Sequence, residues 1–350
     1  MDAIVLHGVS DLRYEQVPVP ELRPGTVLVR IGFCGVCGSD IPRCFTKGTY
    51  SFPTICGHEF AGTIADLGPG VADYSAGDRV AVFPLLWRDD HPACEQGKYA
   101  QSDGYDYLGS RSDGGFSEYV IAPERNLIRV PNNVSLEEAA MTEPAAVALH
   151  AVRRAAVRLG DTVAIFGLGP IGLMVAQWVR AMGASEIALF DIQAEKLLLA
   201  RSLGFEHVFD SRETDVVAAI DQLTGGRGVH VAIESAGVPP TMIAAIKVTR
   251  RAGRMVLLGN PAADVTLSAS LISQVMRREI DLLGTWNSDF SVYGDDDDWR
   301  ATLAAMSSGV LNLKPLITHR IALRDGIDAL RMMRDQSSFF AKVLIYPNQT

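Results

Sequence analysis

One stretch decides the fold of this chain: Thr162-Val-Ala-Ile-Phe166-Gly167-Leu-Gly169-Pro-Ile-Gly172. An apolar, β-branched run of strand length leads into a turn with three glycines, and a helical pattern follows to Met182. A second apolar run, Ile187 to Phe190, ends on Asp191. Strand, glycine turn, helix, strand and acid within about 30 residues are typical of a dinucleotide-binding βαβ unit.

Each position of this turn that holds a glycine needs one for a physical reason. Gly167 permits the tight turn, Gly169 lets the backbone approach a pyrophosphate, and Gly172 lets the helix pack close to the strand. The pyrophosphate would lie at the positive end of the helix, where backbone N–H groups are free. The predicted cofactor-binding residues are therefore Gly167, Leu168, Gly169, Pro170, Ile171, Gly172 and Asp191.

Asp191 also predicts which dinucleotide binds. Its carboxylate is placed to accept hydrogen bonds from the adenosine ribose hydroxyls, whereas a 2′-phosphate would meet its negative charge. Ile192 and Gln193, which follow directly, are neutral. The sequence therefore favours NAD over NADP.

Length and charge limit the classes of partner. A chain of 350 residues exceeds what one hydrophobic core usually serves, so two domains are expected. Apolar residues make up 48% and charged residues 21%, an ordinary globular composition. The net charge of −9 argues against nucleic acid and anionic membranes as partners and leaves a small-molecule substrate open.

The amino-terminal residues and the cysteines bear on the compartment. Met1-Asp-Ala-Ile-Val-Leu has neither a basic segment nor a long apolar one, and no apolar run is long enough to span a bilayer. Five cysteines, an odd number without framework spacing, are typical of a reducing compartment. A cytoplasmic location is expected.

The chain changes pattern near its middle. Before about residue 128, short strands separated by Gly, Pro or Asp predict an antiparallel, barrel-like domain. From about residue 149, strands at 163–166, 187–190, 229–233, 255–258 and 280–284 alternate with helical segments, which predicts a doubly wound α/β domain with a parallel sheet. The predicted domains are residues 1–148 with 288–350, and residues 149–287. The acidic run Asp295 to Asp298 is interpreted as a solvated loop.

Two segments of the first domain carry possible metal ligands: Cys34-Gly-Val-Cys37-Gly-Ser-Asp40 and Gly57-His58-Glu59. Thiolate, imidazole and carboxylate are the ligands that zinc takes when one position stays open for a substrate. Glu143 is a possible further carboxylate. A buried cysteine that only packs, or a redox pair of Cys34 and Cys37, remains an alternative.

These segments, taken with several others, resemble the zinc-containing medium-chain dehydrogenases over nearly the whole chain. The shared segments are Cys37-Gly-Ser-Asp40, Gly57-His58-Glu59, Gly77-Asp78-Arg79-Val80, Asp113-Gly-Gly-Phe-Ser-Glu-Tyr119, Glu143-Pro144 and the Gly167 to Gly172 turn. Within the family the chain is most similar to the polyol branch of sorbitol dehydrogenase-like enzymes. That likeness rests on Gly109-Ser-Arg111, Ser39-Asp-Ile-Pro-Arg43 and Pro315-Leu-Ile-Thr-His319-Arg320.

The resemblance implies a GroES-like catalytic domain beside a Rossmann domain, with one catalytic zinc and NAD. Cys37 and His58 would be zinc ligands, with Glu59 and Glu143 as carboxylates in or next to the coordination sphere, and Ser39 would begin a proton relay. The implied reaction oxidises a secondary hydroxyl of a polyol or sugar-alcohol phosphate to a ketose. Cys34 falls where the family has no ligand, so core packing is expected.

The chain departs from the family pattern in two places. Many members hold a second, structural zinc with four cysteines, and the matching positions here are Arg88, His91, Cys94 and Ser102. No structural zinc is therefore expected. Many alcohol dehydrogenases also pass the proton to a histidine three residues after the relay hydroxyl, where this chain has Pro42.

The substrate and the assembly are less constrained. Tyr50, Arg111 and Trp286 are candidate pocket residues, and a phosphate could meet Arg43, Lys47, Arg111 or Arg320. Alternatives are another zinc alcohol or threonine-type dehydrogenase, or a non-catalytic NAD-binding protein. An apolar strand near Glu279 to Thr285 at a sheet edge favours a homodimer or a homotetramer built on it.

Overall fold

The computed structural model describes residues 1–347, which form two compact units. The first unit contains residues 1–146 and the carboxyl-terminal segment from Asp289 onward, and the second contains Val147–Ser288. Within the described residues the strands, numbered in chain order, are β1 Asp2–Gly8, β2 Asp11–Gln16, β3 Thr26–Gly35, β4 Thr54–Ile55, β5 Glu59–Leu67, β6 Arg79–Val82, β7 Leu85–Leu86, β8 Asp106–Tyr107, β9 Tyr119–Pro123, β10 Leu127–Arg129, β11 Thr162–Phe166, β12 Glu186–Asp191, β13 His207–Asp210, β14 Val229–Glu234, β15 Thr249–Leu257, β16 Asp281–Gly284, β17 Ile317–Ala322 and β18 Lys342–Tyr346.

The α-helices connect these strands chiefly in the second unit. In chain order they are α1 Asp40–Pro42, α2 Pro92–Glu95, α3 Leu136–Ala139, α4 Thr142–Arg154, α5 Pro170–Ala181, α6 Ala194–Ser202, α7 Val216–Thr224, α8 Pro239–Val248, α9 Ala269–Arg278, α10 Asp298–Ser308 and α11 Gly326–Asp335. No helix of the described chain is both long enough and apolar enough to cross a membrane.

The first unit is built on a largely antiparallel sheet, as predicted. Its strand order is β10-β6-β5-β3-β18-β17, and β9 also pairs with β3. One pair, β17 with β18, is parallel. The helix α11 lies between these two strands in the chain and supplies the crossover that a parallel pair needs.

A second, smaller sheet of the first unit was not predicted. In it β1 pairs with both β2 and β4 in antiparallel register. The strand β2 contains three charged residues in six, and none of its side chains is fully buried. Its sequence therefore lacks the apolar alternation by which a strand is recognised.

The second unit contains a fully parallel sheet of six strands in the order β13-β12-β11-β14-β15-β16. This is the doubly wound order in which the first strand lies near the centre and the chain reverses direction beside it. Five of the six strands were predicted. The sixth, β13, has only four residues, two of which are His207 and Asp210, so its apolar signal is too short to detect.

Two expectations about particular residues have different outcomes. Cys34 has no exposed surface and belongs to the apolar core of the first unit, which confirms its packing role. The interpretation of Asp295 to Asp298 as a solvated run is wrong for its second half. Asp297 is buried and caps α10 by accepting from the Arg300 N–H, and Asp298 is buried and accepts from the Asp289 N–H.

Candidate metal and coenzyme sites

The glycine turn lies at the carboxyl end of β11, directly before α5. Gly167 has a φ of +89°, which a residue with a side chain rarely adopts. A Cβ added at Gly172 would lie 1.9 Å from the carbonyl oxygen of Gly167, so no other residue permits this helix approach. A Cβ at Gly169 would meet nothing within 4 Å. The backbone there is open to an approaching pyrophosphate.

The amino-terminal end of α5 keeps its N–H groups available for an anion. Gly169 is the N-cap residue and makes no side-chain capping hydrogen bond. Ser235 stabilises the turn by hydrogen bonding, because its hydroxyl lies 2.8 Å from the carbonyl oxygens of both Phe166 and Gly167. Sequence reasoning did not single out Ser235, because it lies on the loop after β14.

Asp191 ends β12 and is held firmly by backbone donors. Its carboxylate accepts from the N–H of Leu168 at 2.6 Å, of Ile192 at 2.7 Å and of Gln193 at 2.9 Å. The Lys196 Nζ lies 3.8 Å from the same carboxylate. Lys196 is a cation that sequence reasoning missed, because it follows one helical turn into α6 rather than directly after Asp191.

The predicted metal ligands are brought together by two neighbouring strands. In the antiparallel pair β3 and β5, Gly35 is the register partner of Glu59, so Cys37 and His58 continue from adjacent strand ends. The ligand atoms of Cys37, His58 and Glu59 all lie within 4.8 Å of one another. A thiolate, an imidazole and a carboxylate at this separation fit a zinc ion with one position left open.

Asp40 lies beside the imidazole of this cluster. It is fully buried, accepts from the Cys37 N–H at 3.0 Å and lies 3.5 Å from the Nδ1 of His58. Its position leaves the other ring nitrogen of His58 for a metal, the usual arrangement of a carboxylate behind a metal-binding histidine. Burial would raise the pKa of the Asp40 carboxyl, but the charges of His58 and Arg43 outweigh it and lower that pKa.

Glu143 lies apart from the compact three-residue cluster. It is buried, and its Oε1 accepts from the Tyr107 hydroxyl at 3.0 Å. The Tyr107 ring in turn packs edge-on against His58, with 5.7 Å between ring centroids. Burial and the nearby Glu59 raise the pKa of Glu143 to about 7, against the opposing effects of His58, Tyr107 and Lys342. This carboxyl can therefore gain or lose a proton near neutral pH.

Family models and relatives identify the family of the chain. A model for the alcohol dehydrogenase GroES-like domain matches residues 23–132, and one for zinc-binding dehydrogenases matches residues 170–308. Galactitol 1-phosphate 5-dehydrogenase of Escherichia coli K12 is 34% identical over 99% of this chain and 100% of its own length. The chain belongs to the zinc-containing medium-chain dehydrogenase family.

Solved structures and a second relative extend the comparison within this dehydrogenase family. The crystal structure of galactitol-1-phosphate dehydrogenase from Escherichia coli aligns with a TM-score of 0.93, covering 99% of this chain and 100% of that one. A zinc-binding dehydrogenase from Sinorhizobium meliloti 1021, bound to NADP, is 29% identical with a TM-score of 0.91 over 99% of both chains. Sorbitol dehydrogenase of Bacillus subtilis is 32% identical over 100% of this chain and 98% of its own. The chain is an oxidoreductase of this family, whose cofactors are zinc and a nicotinamide dinucleotide.

The dehydrogenase contains a buried lysine beside the metal cluster that sequence reasoning missed. Lys342, the first residue of β18, is 2% exposed and forms an ion pair with Glu59. Its Nζ also donates to the Val36 carbonyl at 3.3 Å. Burial would lower the pKa of Lys342, but the Glu59 carboxylate more than offsets this and raises it. Lys342 therefore stays charged and fixes one oxygen of Glu59.

Replacing Lys342 by methionine should destabilise the protein by about 3 kcal/mol, because it leaves the Glu59 carboxylate buried without its partner. Chemical unfolding of protein stripped of zinc measures this, since zinc would mask the loss. The Lys342→Met/Glu59→Gln double variant should recover part of the stability.

Lys98→Met is the matched control, since Lys98 pairs with Asp289 at 3.0 Å but is about half exposed. It should cost less than about 1 kcal/mol. Equal costs for Lys342→Met and Lys98→Met would contradict a buried pair at the metal cluster.

The remaining predicted site residues lie in different surroundings. The Ser39 hydroxyl donates to the Cys37 Sγ at 3.3 Å. The Arg111 guanidinium lies 4.4 Å from the centre of the Tyr50 ring, so these two candidates are neighbours. Trp286 is 59% exposed and borders an apolar cavity of about 370 Å³ within the second unit. The pocket role of Trp286 stays a prediction.

Of the four cations considered for a phosphate, two are bound to carboxylates. The Arg43 guanidinium donates to Asp40 at 2.6 Å, and Arg320 makes a two-pronged contact with Glu137 at 2.8 and 2.9 Å. Arg111 donates to the Tyr105 carbonyl at 2.6 Å and keeps other donors free.

The lobe of residues 87–103 is held by aromatic packing. The Trp87 ring stacks on Tyr99 with 4.0 Å between centroids, and the Arg125 guanidinium covers Trp87 at 4.3 Å. Three of the four positions that the family resemblance matched to structural zinc ligands make contacts within the lobe. Arg88 pairs with Asp90, the His91 Nδ1 accepts from the Ala93 N–H, and the Ser102 hydroxyl donates to the Tyr99 carbonyl.

Proposed function

We propose that this chain is an NAD-dependent polyol dehydrogenase that oxidises a secondary hydroxyl of a polyol or sugar-alcohol phosphate to the ketose. The observation that carries the proposal is the cluster of Cys37, His58 and Glu59, whose ligand atoms lie within 4.8 Å of one another. A nucleotide-binding protein without catalysis has no use for such an open set of ligands.

Cys37 and His58 hold the metal, with Glu59 and Glu143 as carboxylates in or next to its coordination sphere. Zinc, when bound, acts as a Lewis acid that lowers the pKa of the substrate hydroxyl. Asp40 fixes the imidazole of His58, and Lys342 fixes one oxygen of Glu59. The protein thus orients two ligands through buried charged partners.

The proton of the substrate hydroxyl leaves through residues of this chain. The Ser39 hydroxyl, next to Cys37, passes it toward ribose hydroxyl or water, because Pro42 replaces the histidine found in many relatives. The Tyr107 hydroxyl donates to the Oε1 of Glu143 and holds this carboxylate in place.

The second unit binds the coenzyme through the turn Gly167 to Gly172 and through Asp191. NAD, when bound there, would supply the acceptor for the hydride of the carbinol carbon. Asp191 accepts from the ribose hydroxyls and repels a 2′-phosphate, which supports NAD rather than NADP. Tyr50, Arg111 and Trp286 are proposed to contact the substrate.

The substrate class is tested by a panel of zinc-loaded assays that follow NADH absorbance. Polyols and sugar-alcohol phosphates should be oxidised far more efficiently than L-threonine or ethanol, because neighbouring hydroxyls can bind the metal and carboxylates together. Preference for L-threonine or ethanol would replace the polyol proposal by another activity of the same family. A phosphorylated substrate, if preferred, should lose that preference in Arg111→Gln.

We also predict a single zinc per chain. A closed site needs four strong ligands, whereas Arg88 is a permanent cation and Ser102 a poor ligand at neutral pH. Metal analysis should give about one zinc per chain, with one anomalous scattering peak beside Cys37. A second peak within bonding distance of Cys94 would contradict this prediction.

The protein is proposed to form a homodimer, or a homotetramer built on it, through the strand β16. This strand lies at the edge of the parallel sheet, and Leu282 on it is 42% exposed. An open apolar edge favours pairing with a twofold mate. Light scattering at micromolar concentration should show an oligomer, and Leu282→Arg should shift it toward monomer. Leu198→Arg, at another exposed leucine of the same unit, should not, and a monomeric unmodified protein would contradict the proposal.

A further inference from the structure

A large pocket in the coenzyme unit lies at the amino-terminal ends of the parallel strands, opposite the glycine turn. It measures about 990 Å³ and is bordered by the amino-terminal ends of β11, β12 and β14, through Thr162, Glu186 and His230. The glycine turn follows the carboxyl-terminal end of β11. Because the strands are parallel, their amino-terminal ends all lie on one side of the sheet and their carboxyl-terminal ends on the other. The pocket is therefore distinct from the dinucleotide site.

An irregularity in β15 forms one side of this pocket. The register runs from Val229 with Thr249 directly to Val231 with Arg254, so residues 250–253 have no partners on β14. Ala252, within this segment, has a φ of +50°. Arg250 and Arg251, which belong to this irregular segment, border the pocket.

The pocket is strongly cationic in a chain whose net charge is −9. The cations that line it are Arg227, Lys247, Arg250, Arg251 and Arg278, and the carboxylates that line it are Glu186 and Asp221. Glu186 is already paired with His207 at 2.9 Å. Positive charge concentrated in a pocket attracts anions even when the protein as a whole is negatively charged.

In the described part of the chain, three of these cations donate to backbone carbonyls. Arg227, Arg251 and Arg278 donate to the backbone carbonyls of neighbouring loop and helix ends, at 2.9 to 3.1 Å. The Nε of Arg250 is buried and has no hydrogen-bond partner among the described residues. A buried guanidinium N–H without an acceptor is costly.

His230 is a further polar residue of the pocket lining. Its Nδ1 accepts from the Thr162 N–H at 3.0 Å, which places its proton on Nε2 and keeps the ring neutral. Burial lowers the pKa of His230, and the charge of Arg250 lowers it further against the opposing effect of Asp161. The neutral imidazole adds an N–H donor at the pocket.

We propose that this pocket binds a small organic polyphosphate, a molecule that carries three or more linked phosphates on an organic body. The excess of cations over carboxylates complements the negative charge of linked phosphates. An arginine guanidinium can also donate two parallel hydrogen bonds to phosphate oxygens. Val217, Leu223 and Val248 form an apolar part of the lining that can contact the organic body. The size of the pocket is within the range of small-molecule sites.

Calorimetric titration of the full-length, zinc-loaded protein with sodium tripolyphosphate tests the proposal, in low salt and with NAD in excess. One equivalent should bind, and Lys247→Gln/Arg250→Gln should weaken binding at least about tenfold, the effect of losing charge-assisted contacts. Lys247→Gln alone changes an exposed side chain and should give a smaller loss in the same direction. ATP should bind more tightly than tripolyphosphate, because it adds an organic body.

The matched control is Arg324→Gln/Arg331→Gln, which removes two exposed cations from the other unit and should leave the affinity unchanged. Absence of binding to the unmodified protein, unchanged affinity in the Lys247 and Arg250 variants, or displacement of tripolyphosphate by NAD would each overturn the pocket proposal. If ATP binds no more tightly than tripolyphosphate, the proposal that the ligand carries an organic body would be overturned.

Discussion

Replacement of Cys37 by alanine should reduce kcat/KM for the best polyol by about 10³-fold or more and remove the bound zinc. Loss of a thiolate ligand from a three-ligand cluster prevents tight binding of the metal. The Lewis acid supplies several kcal/mol of transition-state stabilisation, and each 1.4 kcal/mol corresponds to about tenfold in rate. Zinc content and steady-state kinetics on the same preparation measure both effects.

Cys94→Ala is the matched control for this experiment. Cys94 is a partly exposed thiol of the same unit, in the lobe of residues 87–103. Its replacement should leave both zinc content and kcat/KM unchanged. Full activity in Cys37→Ala, or loss of zinc in Cys94→Ala, would contradict the assignment of the metal to Cys37, His58 and Glu59.

Replacement of Asp191 by serine should change the ratio of kcat/KM for NAD to that for NADP by about 10³-fold. Loss of hydrogen bonds to a charged acceptor costs about 1.5 to 3 kcal/mol with NAD, and removal of the like charge improves NADP. Lys196, 3.8 Å from Asp191, would then be free to meet the 2′-phosphate.

Two further variants separate these contributions to coenzyme preference. Asp191→Ser/Lys196→Met should lose most of the gain with NADP while keeping the loss with NAD. Asp335→Ser, which removes an exposed aspartate of the other unit, should change neither. An unmodified protein that uses both coenzymes equally would show that Asp191 does not select between them.

The coenzyme turn could be predicted from the sequence because every part of it is local. Gly167, Gly172 and Asp191 lie within one βαβ unit, and the turn conformation is limited by which residues tolerate a φ of +89° or a close helix. The alternation of strands and helices after residue 149 predicted the parallel sheet for the same reason. Only β13 was missed, because four residues carry too little pattern.

The supporting residues of the metal cluster could not be predicted in the same way. Lys342 meets Glu59 from a strand nearly 300 positions later, and that contact depends on the pairing of β18 with β3. The one sequence signal for this contact was a lysine at the start of an otherwise apolar strand, Lys342-Val-Leu-Ile345. Burying a lysine without a partner costs several kcal/mol, so such a lysine indicates a buried carboxylate nearby. Tyr107 is a similar case, since its contact with Glu143 joins a short strand to a helix start.

Charged residues also show where sequence reasoning loses information. Arg43 and Arg320 were considered as cations that could meet a phosphate, but both bind carboxylates of this chain. Asp297 and Asp298 belong to an acidic run, but the structure uses them to cap and anchor α10. A sequence gives the charge of such residues, whereas their partners depend on the fold.

Transfer of deuterium from a polyol to the coenzyme tests the central claim most directly. Zinc-loaded protein is incubated with NAD and a polyol, or its phosphate, that carries deuterium on every carbon, and the coenzyme and the sugar product are identified by mass spectrometry and NMR. Deuterated NADH and a ketose should form in equal amounts, and both should be lost after chelation and restored by zinc. An aldose product, or reduced coenzyme without deuterium, would contradict the central claim.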